Sequence, residues 1–312
     1  MIVVQMMGNI GNQMFIYAMA RNLQLKYDDK LLIDLSGLKR YYYTANYKLD
    51  QFKLPEDVTY DLNALSIEQR AKYKISSFVF HLEHYFYRNT REDLIIPEKV
   101  IKRWFRRGCY YNTNRPLTHY PKSSSRNKFL YGYFQSEEYF KEHADQIKEE
   151  LRVREPASRK DAVIIEKMQK GNSVGVSIRA NKTPENPRVK DNVELGFITR
   201  NYYYQGMQKI AEKVEKPEFY IFADDIDIVK REYDFPFPVT YVEPEDSAAG
   251  MRLLYSCKHF VIANSTFSWW GAYLGKDPEK IIVMPTPWDR YGPLRECIYM
   301  TNAIRIPCEF EE

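Results

Sequence analysis

Three groups of side chains in the second half of the chain have the chemistry to hold an anionic ligand. Arg179 follows the apolar run Ser173-Val-Gly-Val-Ser-Ile178, and Asp224 and Asp225 follow a second, Glu218-Phe-Tyr-Ile-Phe222. Asn264-Ser265-Thr266 follows a third, Phe260 to Ala263. It opens an apolar stretch through Trp269, Trp270, Ala272 and Leu274 that closes at Gly275. A guanidinium suits a phosphate, and so does a helix N-terminus with its unsatisfied N–H groups and positive dipole end. Hydroxyls and an amide at that tip add hydrogen bonds. A carboxylate pair suits the ring nitrogens of a purine or the hydroxyls of a ribose. It also suits Mg²⁺, which ranks second because Arg179 and the helix tip already serve the phosphates. Each group has a structural alternative: Arg179 as an ion-pair partner, Asp224 as the start of the next helix, Asn264-Ser265-Thr266 as a plain cap. Their coincidence at three strand ends favours a nucleotide-type ligand.

Those strand ends need a sheet. The second half reads as strands at 173–178, 218–222, 239–242, 260–263 and 281–284. The helices between them lie at 200–214, at 247–257 with Met251, Leu254 and Tyr255 inward, and after Asn264. Strands separated by helices imply a parallel sheet, whose ligands sit at the carboxyl ends of its strands. The first half begins the same way. A strand at Met1–Gln5 meets the turn Met7-Gly-Asn-Ile-Gly-Asn-Gln13, then a helix to Lys26 with Phe15, Ala18, Met19 and Leu23 at helical spacing, then a strand at Leu31–Asp34. The turn lacks the Lys-Ser/Thr of a P-loop, and Gly8-x-x-Gly11 lacks the dinucleotide spacing. Residues 41–55 are polar and tyrosine-rich, 59–87 look mostly helical, Phe129–Phe134 is a strand, and a helix capped by Ser136 runs to about Arg154. Residues 180–195 form a polar loop. Glu155-Pro-Ala-Ser158 breaks the pattern and marks a boundary between domains 1–155 and 156–312.

The length of 312 residues fits two domains of about 150 residues each. A hydrophobic share of 44% is globular, and a net charge of +4 does not call for a nucleic-acid partner. The four cysteines form no CxxC or CxxH pair, which suits reduced thiols and no zinc. There is no signal-peptide pattern and no apolar run near the ~20 residues of a membrane span, so the expectation is a cytoplasmic protein. Between Ala71 and Lys128 thirteen Lys/Arg face four Asp/Glu, densest at Lys102-Arg-Trp-Phe-Arg-Arg107. Peripheral contact of 102–115 with the inner face of the cell membrane, or with a lipid-phosphate substrate, is one reading. A solvated basic face over buried aromatics is the plainer one.

Five stretches together resemble a known family. Gly8-Asn-Ile-Gly-Asn-Gln-Met-Phe-Ile-Tyr-Ala18, Gly132-Tyr-Phe-Gln-Ser-Glu-Glu-Tyr-Phe140, Phe222-Ala-Asp-Asp225, Cys257-Lys-His259 and Asn264-Ser-Thr-Phe-Ser-Trp-Trp270 are similar, in order, to motifs of the α-1,2-fucosyltransferases, glycosyltransferase family 11. The family's His-x-Arg-Arg-Gly-Asp motif here reads Ser177-Ile-Arg-Ala-Asn-Lys182, keeping only the first arginine, as Arg179. The resemblance implies an α/β fold of GT-B type, two Rossmann-like domains with parallel sheets facing a central cleft. It also implies a GDP-fucose donor and inversion with no metal or other cofactor. The implied acceptor is a galactose-containing oligosaccharide or lipid-linked glycan of a bacterial surface polysaccharide. On this reading Arg179, Ser265, Thr266 and Phe267 stabilise the departing GDP, and Asn12 orients the reacting groups. Gly11, Asp224, Asp225, Asn264 and Ser268 complete the donor set, and Gln13 and Gln135 serve the acceptor. No motif supplies a general base, leaving the β-phosphate as a proton acceptor. The alternatives are another GDP-sugar or acceptor hydroxyl on the same fold, or a sugar-binding module without activity.

Overall fold

The apolar runs become the strands of two parallel sheets. The computed structural model describes residues 1–39, 46–89, 98–111, 125–181, 196–290 and 293–311. The chain divides into two compact units, Met1–Leu151 with Glu296–Ile298, and Arg152–Arg295 with Tyr299–Glu312.

The first unit contains β1 (Ile2–Gln5), α1 (Ile10–Tyr27), β2 (Leu31–Asp34), β3 (Val58–Thr59), α2 (Ile67–Asn89), α3 (Glu98–Arg106), β4 (Cys109–Tyr111), β5 (Lys128–Tyr131) and α4 (Ala144–Glu150). The strand order is β3-β2-β1-β5-β4 and every pair is parallel. Central β1 is buried at all four residues, as a strand covered on both faces requires. Helix α1 is buried along nearly its whole length. That explains why its sequence shows no strong polar face.

The second unit contains α5 (Arg159–Lys170), β6 (Asn172–Ile178), α6 (Arg200–Ala211), β7 (Pro217–Ala223), α7 (Ile226–Glu232), β8 (Val239–Tyr241), α8 (Ser247–Tyr255), β9 (His259–Val261), α9 (Thr266–Leu274), β10 (Ile282–Thr286) and β11 (Ile304–Pro307). Its sheet runs β11-β10-β9-β6-β7-β8, again parallel throughout. Val174, Val176, Phe219, Ile221, Val261 and Val283 pack with Tyr202, Met207 and Ile210 in one core cluster. Both expected α/β sheets are present.

Several elements differ from the sequence expectation. The helix expected from about residue 59 starts at Ile67, behind β3. Ser66 and Gln69 form a capping box there: Ser66 Oγ accepts from Gln69 N at 3.2 Å, and Gln69 Oε1 accepts from Ser66 N at 2.7 Å. The single helix expected from Ser136 to Arg154 is two 3-10 turns followed by the short α4. Ser136 does cap, accepting from Glu138 N at 3.3 Å. Phe140, at φ −138°, then breaks the run, while its ring packs on Phe15 and that of Tyr139 packs on Phe134. Strands β3, β4 and β11 and helix α5 have no clear signature in the sequence. The loop expected at 180–195 lies, beyond residue 181, outside the described residues. Among the described residues no helix is long and apolar enough to cross a membrane.

The first unit is tied together by a buried ion network. Arg21, almost fully buried in α1, donates to both carboxylate oxygens of Glu150 on α4 and to Asp57, and Tyr17 donates to Glu150 Oε2 at 2.6 Å. Burial alone lowers the guanidinium pKa, but the hydrogen bonds and charge of Glu150 outweigh it and hold Arg21 above its usual value. Glu150→Ala leaves Arg21 buried with Asp57 as its one carboxylate partner and the neutral amide of Gln24. Loss of one partner from a buried pair costs several kcal/mol. The expected destabilisation is about 3 kcal/mol, read as a fall in the urea midpoint, with Glu150→Gln losing less. An unchanged midpoint in Glu150→Ala would show that the network is not holding α1 to α4.

Candidate functional site

In the second sheet β6 and β9 lie side by side, and the chain leaves them in opposite directions, toward β7–β8 and toward β10–β11. The crevice outside such a reversal, at the carboxyl ends of the strands, is where open parallel sheets bind ligands. Arg179 leaves the end of β6 and Asn264 lies just beyond β9. They meet: Arg179 Nη1 donates to the Asn264 carbonyl at 3.2 Å. Asn264 is 1% exposed and its Nδ2 donates to Gly196 O at 3.0 Å. Gly196 is held in turn by the C-terminal residues. Glu311 N donates to Phe197 O at 2.8 Å, Thr199 N donates to Glu309 O at 3.0 Å, and the Phe310 ring fills the space where a Cβ on Gly196 would stand. No sequence signal points to Gly196 or to the C-terminal residues.

Helix α9 supplies the tip beside Arg179. Ser265 is its N-cap, at φ −132° and ψ 130°, and its side chain makes no hydrogen bond to the helix. The caps of α7 and α8 behave differently, Asp225 accepting from Ile228 N and Asp246 from Ala249 N. Ser265, Thr266 and Phe267 are half-buried, so the first turn reaches the surface with its cap hydroxyl uncommitted to the backbone. The rest of the helix does not. It carries no charged residue, Trp269 and Trp270 are fully buried, and Trp269 stacks on Tyr273 at 4.7 Å. At its far end Lys280 Nζ donates to the carbonyls of Ala272, Tyr273 and Gly275 at 2.9, 3.0 and 2.9 Å. A lysine shortly after a C-cap glycine is a signal legible in the sequence. Ser268 corrects an expectation. It is buried in the second half of the first turn, and its hydroxyl lies 2.6 Å from that of Ser177, so it supports the site from beneath and does not face a donor.

The carboxylates are used separately. Asp224 Oδ1 accepts from the backbone N–H groups of Ala180 and Asn181 at 2.7 and 3.1 Å, gripping the turn that follows Arg179. Asp225 Oδ1 caps α7 at 3.1 Å. The structural alternative, a helix start, thus falls to Asp225. Each side chain keeps its Oδ2. Ala180, which stands where the family pattern has a second arginine, packs its methyl into the core. Among the described residues no group of three or more His, Cys, Asp or Glu is placed to hold a metal ion.

The first unit repeats the plan. Its sheet reverses between β1 and β5, and the residues following those two strands meet: Gln135 Nε2 donates to Asn12 Oδ1 at 2.8 Å. Asn12 is half-buried in the first turn of α1 and Gly11 is buried beside it. Gly8, at φ +71°, must be glycine twice over, since a Cβ would also stand 2.6 Å from Asn12 Nδ2. Gln13 corrects a second expectation. It is fully buried, with Nε2 donating to Gly8 O and Asn46 O and Oε1 accepting from Lys48 N, so it anchors the segment at 46–48 and cannot reach an acceptor.

Two motif residues are structural. Burial pushes the Cys257 thiol far up, and its Sγ faces the core. Burial lowers His259, whose neutral Nδ1 accepts from Ile281 N at 3.1 Å.

The grip of Asp224 on the turn after Arg179 can be measured. A hydrogen bond to a charged group contributes about 1.5 kcal/mol or more. Amide exchange at Ala180 and Asn181 is therefore expected to quicken about tenfold or more in Asp224→Ala. It should stay near the wild-type rate in Asp224→Asn, which keeps the accepting oxygen. Equal exchange in Asp224→Ala and wild type would remove Asp224 from this role.

The family model "Glycosyl transferase family 11" matches residues 1–305. The chain is 26% identical over 300 residues to the alpha-1,2-colitosyltransferase of Escherichia coli, covering 92% of each chain. It is 27% identical over 296 residues to the O-antigen biosynthesis glycosyltransferase WbnK of Escherichia coli, covering 90% of this chain and 92% of the relative. Among solved structures it is similar to fucosyltransferase NodZ from Bradyrhizobium, with a TM-score of 0.49 and 16% identity over 90% of this chain and 94% of that one. The match along nearly the whole length places the chain in glycosyl transferase family 11.

Proposed function

We propose that this glycosyltransferase moves L-fucose from GDP-fucose to the 2-hydroxyl of a terminal galactoside in a bacterial surface glycan, inverting the anomeric centre without a metal. The observation that carries the reading is the contact of Arg179 with the Asn264 carbonyl beside the α9 tip. It gathers a fixed cation, backbone N–H groups and an uncommitted hydroxyl at a switch point. When a sugar hydroxyl attacks the anomeric carbon, the ring becomes oxocarbenium-like and the diphosphate departs with added negative charge. Preorganised positive groups aimed at that charge supply the largest single share of such catalysis. Arg179 and the first turn of α9 are assigned that role. Asn12, oriented by Gln135, is assigned to position the reacting groups, and the β-phosphate to take the proton. Asp224 and Asp225 are assigned to the nucleoside through their remaining oxygens.

Turnover of GDP-fucose on lactose-type acceptors is the direct test. Arg179→Ala is expected to lose about 10²-fold or more in kcat, the scale set by removal of an oxyanion-type donor. Retained turnover would take Arg179 out of the mechanism. Wild-type activity is expected to survive EDTA, and its loss with recovery on added Mg²⁺ would assign the acidic pair to a metal.

A second reading has its own support. A relative over 92% of the chain is named for colitose, and the residues around Arg179 depart from the fucosyltransferase pattern at Ser177 and Ala180. The same site would then accept a different deoxysugar on GDP. A donor panel read by product mass separates the two readings. Calorimetry with GDP separates both from a sugar-binding module without activity, for which no GDP binding is expected.

A further inference from the structure

Helix α2 packs on one face of the first sheet, and α3 packs along its edge strand β4. Tyr73 of α2 and Trp104 of α3 pack into the same cluster as Val3, Tyr111, Phe129 and Tyr131. With its inner side fixed there, the outer side of α2 forms the surface of that layer. On α2 this outer side is apolar. Ile75 is 64% exposed, Phe78 66%, Val79 37% and Leu82 44%. The spacing, three or four residues and then seven, places them on one stripe opposite the buried Tyr73 and Ser77. Of the seven large apolar side chains exposed among the described residues, five lie on this helix. Scattered exposed leucines need no explanation, but a contiguous stripe marks an interaction surface.

The charge around the stripe selects the occupant. Lys74 flanks it on α2, as does Lys72, which is paired with Glu68 at 2.6 Å, and Arg103 and Arg107 are exposed near and just past the end of α3. This is the densest part of the stretch with thirteen Lys/Arg against four Asp/Glu. A second copy of the chain would bring the same cations against these. An apolar stripe bordered by cations fits a surface that is anionic at the rim and apolar beneath, as a bilayer of acidic phospholipid is. We propose that the α2 stripe, with the cations of α3, docks this protein on anionic membrane. The apolar side chains enter the headgroup boundary while Lys74, Arg103 and Arg107 meet the phosphates. The inference is independent of the donor and linkage proposed above, because none of these residues belongs to the candidate site.

Vesicle co-sedimentation at moderate salt tests it, with vesicles of phosphatidylglycerol and phosphatidylcholine against phosphatidylcholine alone. Wild type is expected to bind the anionic vesicles about tenfold or more tightly, and added salt should weaken that binding. Ile75→Ser/Phe78→Ser/Leu82→Ser is expected to lose about tenfold on anionic vesicles. Arg103→Ser/Arg107→Ser is expected to lose the preference for them. Both variants change exposed side chains, so both should keep the wild-type thermal melt and turnover of a soluble acceptor. Equal binding to both vesicle types, no binding, or unchanged binding by the apolar variant would overturn the proposal. So would a wild-type dimer in solution that the apolar variant turns into a monomer, which would give the stripe to a second copy.

Discussion

Helix α9 has nothing to offer water along most of its length, and much of the second unit follows from that. Residues Ser268 to Leu274 are buried without a single charge, so the helix can exist only inside a shell of other elements. Its partner α8 approaches closely enough that a Cβ on Gly271 would stand 2.3 Å from Leu254. Truncating one of its buried tryptophans would cost about 3–5 kcal/mol, a large part of a domain's stability. Burial, more than helix propensity, therefore fixes the axis of α9. The single turn that reaches the surface is the one beside Arg179.

A rigid tip is useful only if its partners are equally fixed, and the surrounding bonds supply this. The turn after Arg179 is gripped by Asp224, Ser177 is bonded to Ser268, and Asn264 reaches Gly196, which the C-terminal residues hold. Each joins segments distant in sequence at the ends of adjacent strands. The serine at 177 and the alanine at 180 fit this arrangement, one as a buried hydroxyl partner and one as core packing. A site assembled before its ligand arrives loses less to ordering when charge develops.

Much of this was legible in the sequence. Strand, polar cap and apolar helix placed Arg179, Asp224 and Asn264 at carboxyl ends of one parallel sheet, and they are there. Position along the chain did not reveal direction or depth. Gln13 and Ser268 sit one residue from surface positions, yet in an α-helix the next side chain turns about 100° away, and both point inward. Strand order was equally hidden, because the reversals between β6 and β9 and between β1 and β5 come from how crossovers are laid down, not from local pattern. The short strands β3 and β4 escaped because Val58-Thr59 and Cys109-Tyr-Tyr111 stand among polar and charged residues, with no aliphatic run to mark them.

The ammonium of Lys280 has a reach that its hydrogen bonds do not suggest. An isolated helix carries about half a positive charge at one end and half a negative at the other, so distant anions feel little. Three carbonyls at the end of α9 are turned onto a full cation instead. The negative pole of the helix, about 14 Å from Ser265 at 1.5 Å per residue, is thereby offset. The positive pole at the tip is left without its counterpart by a residue that lies outside the helix altogether.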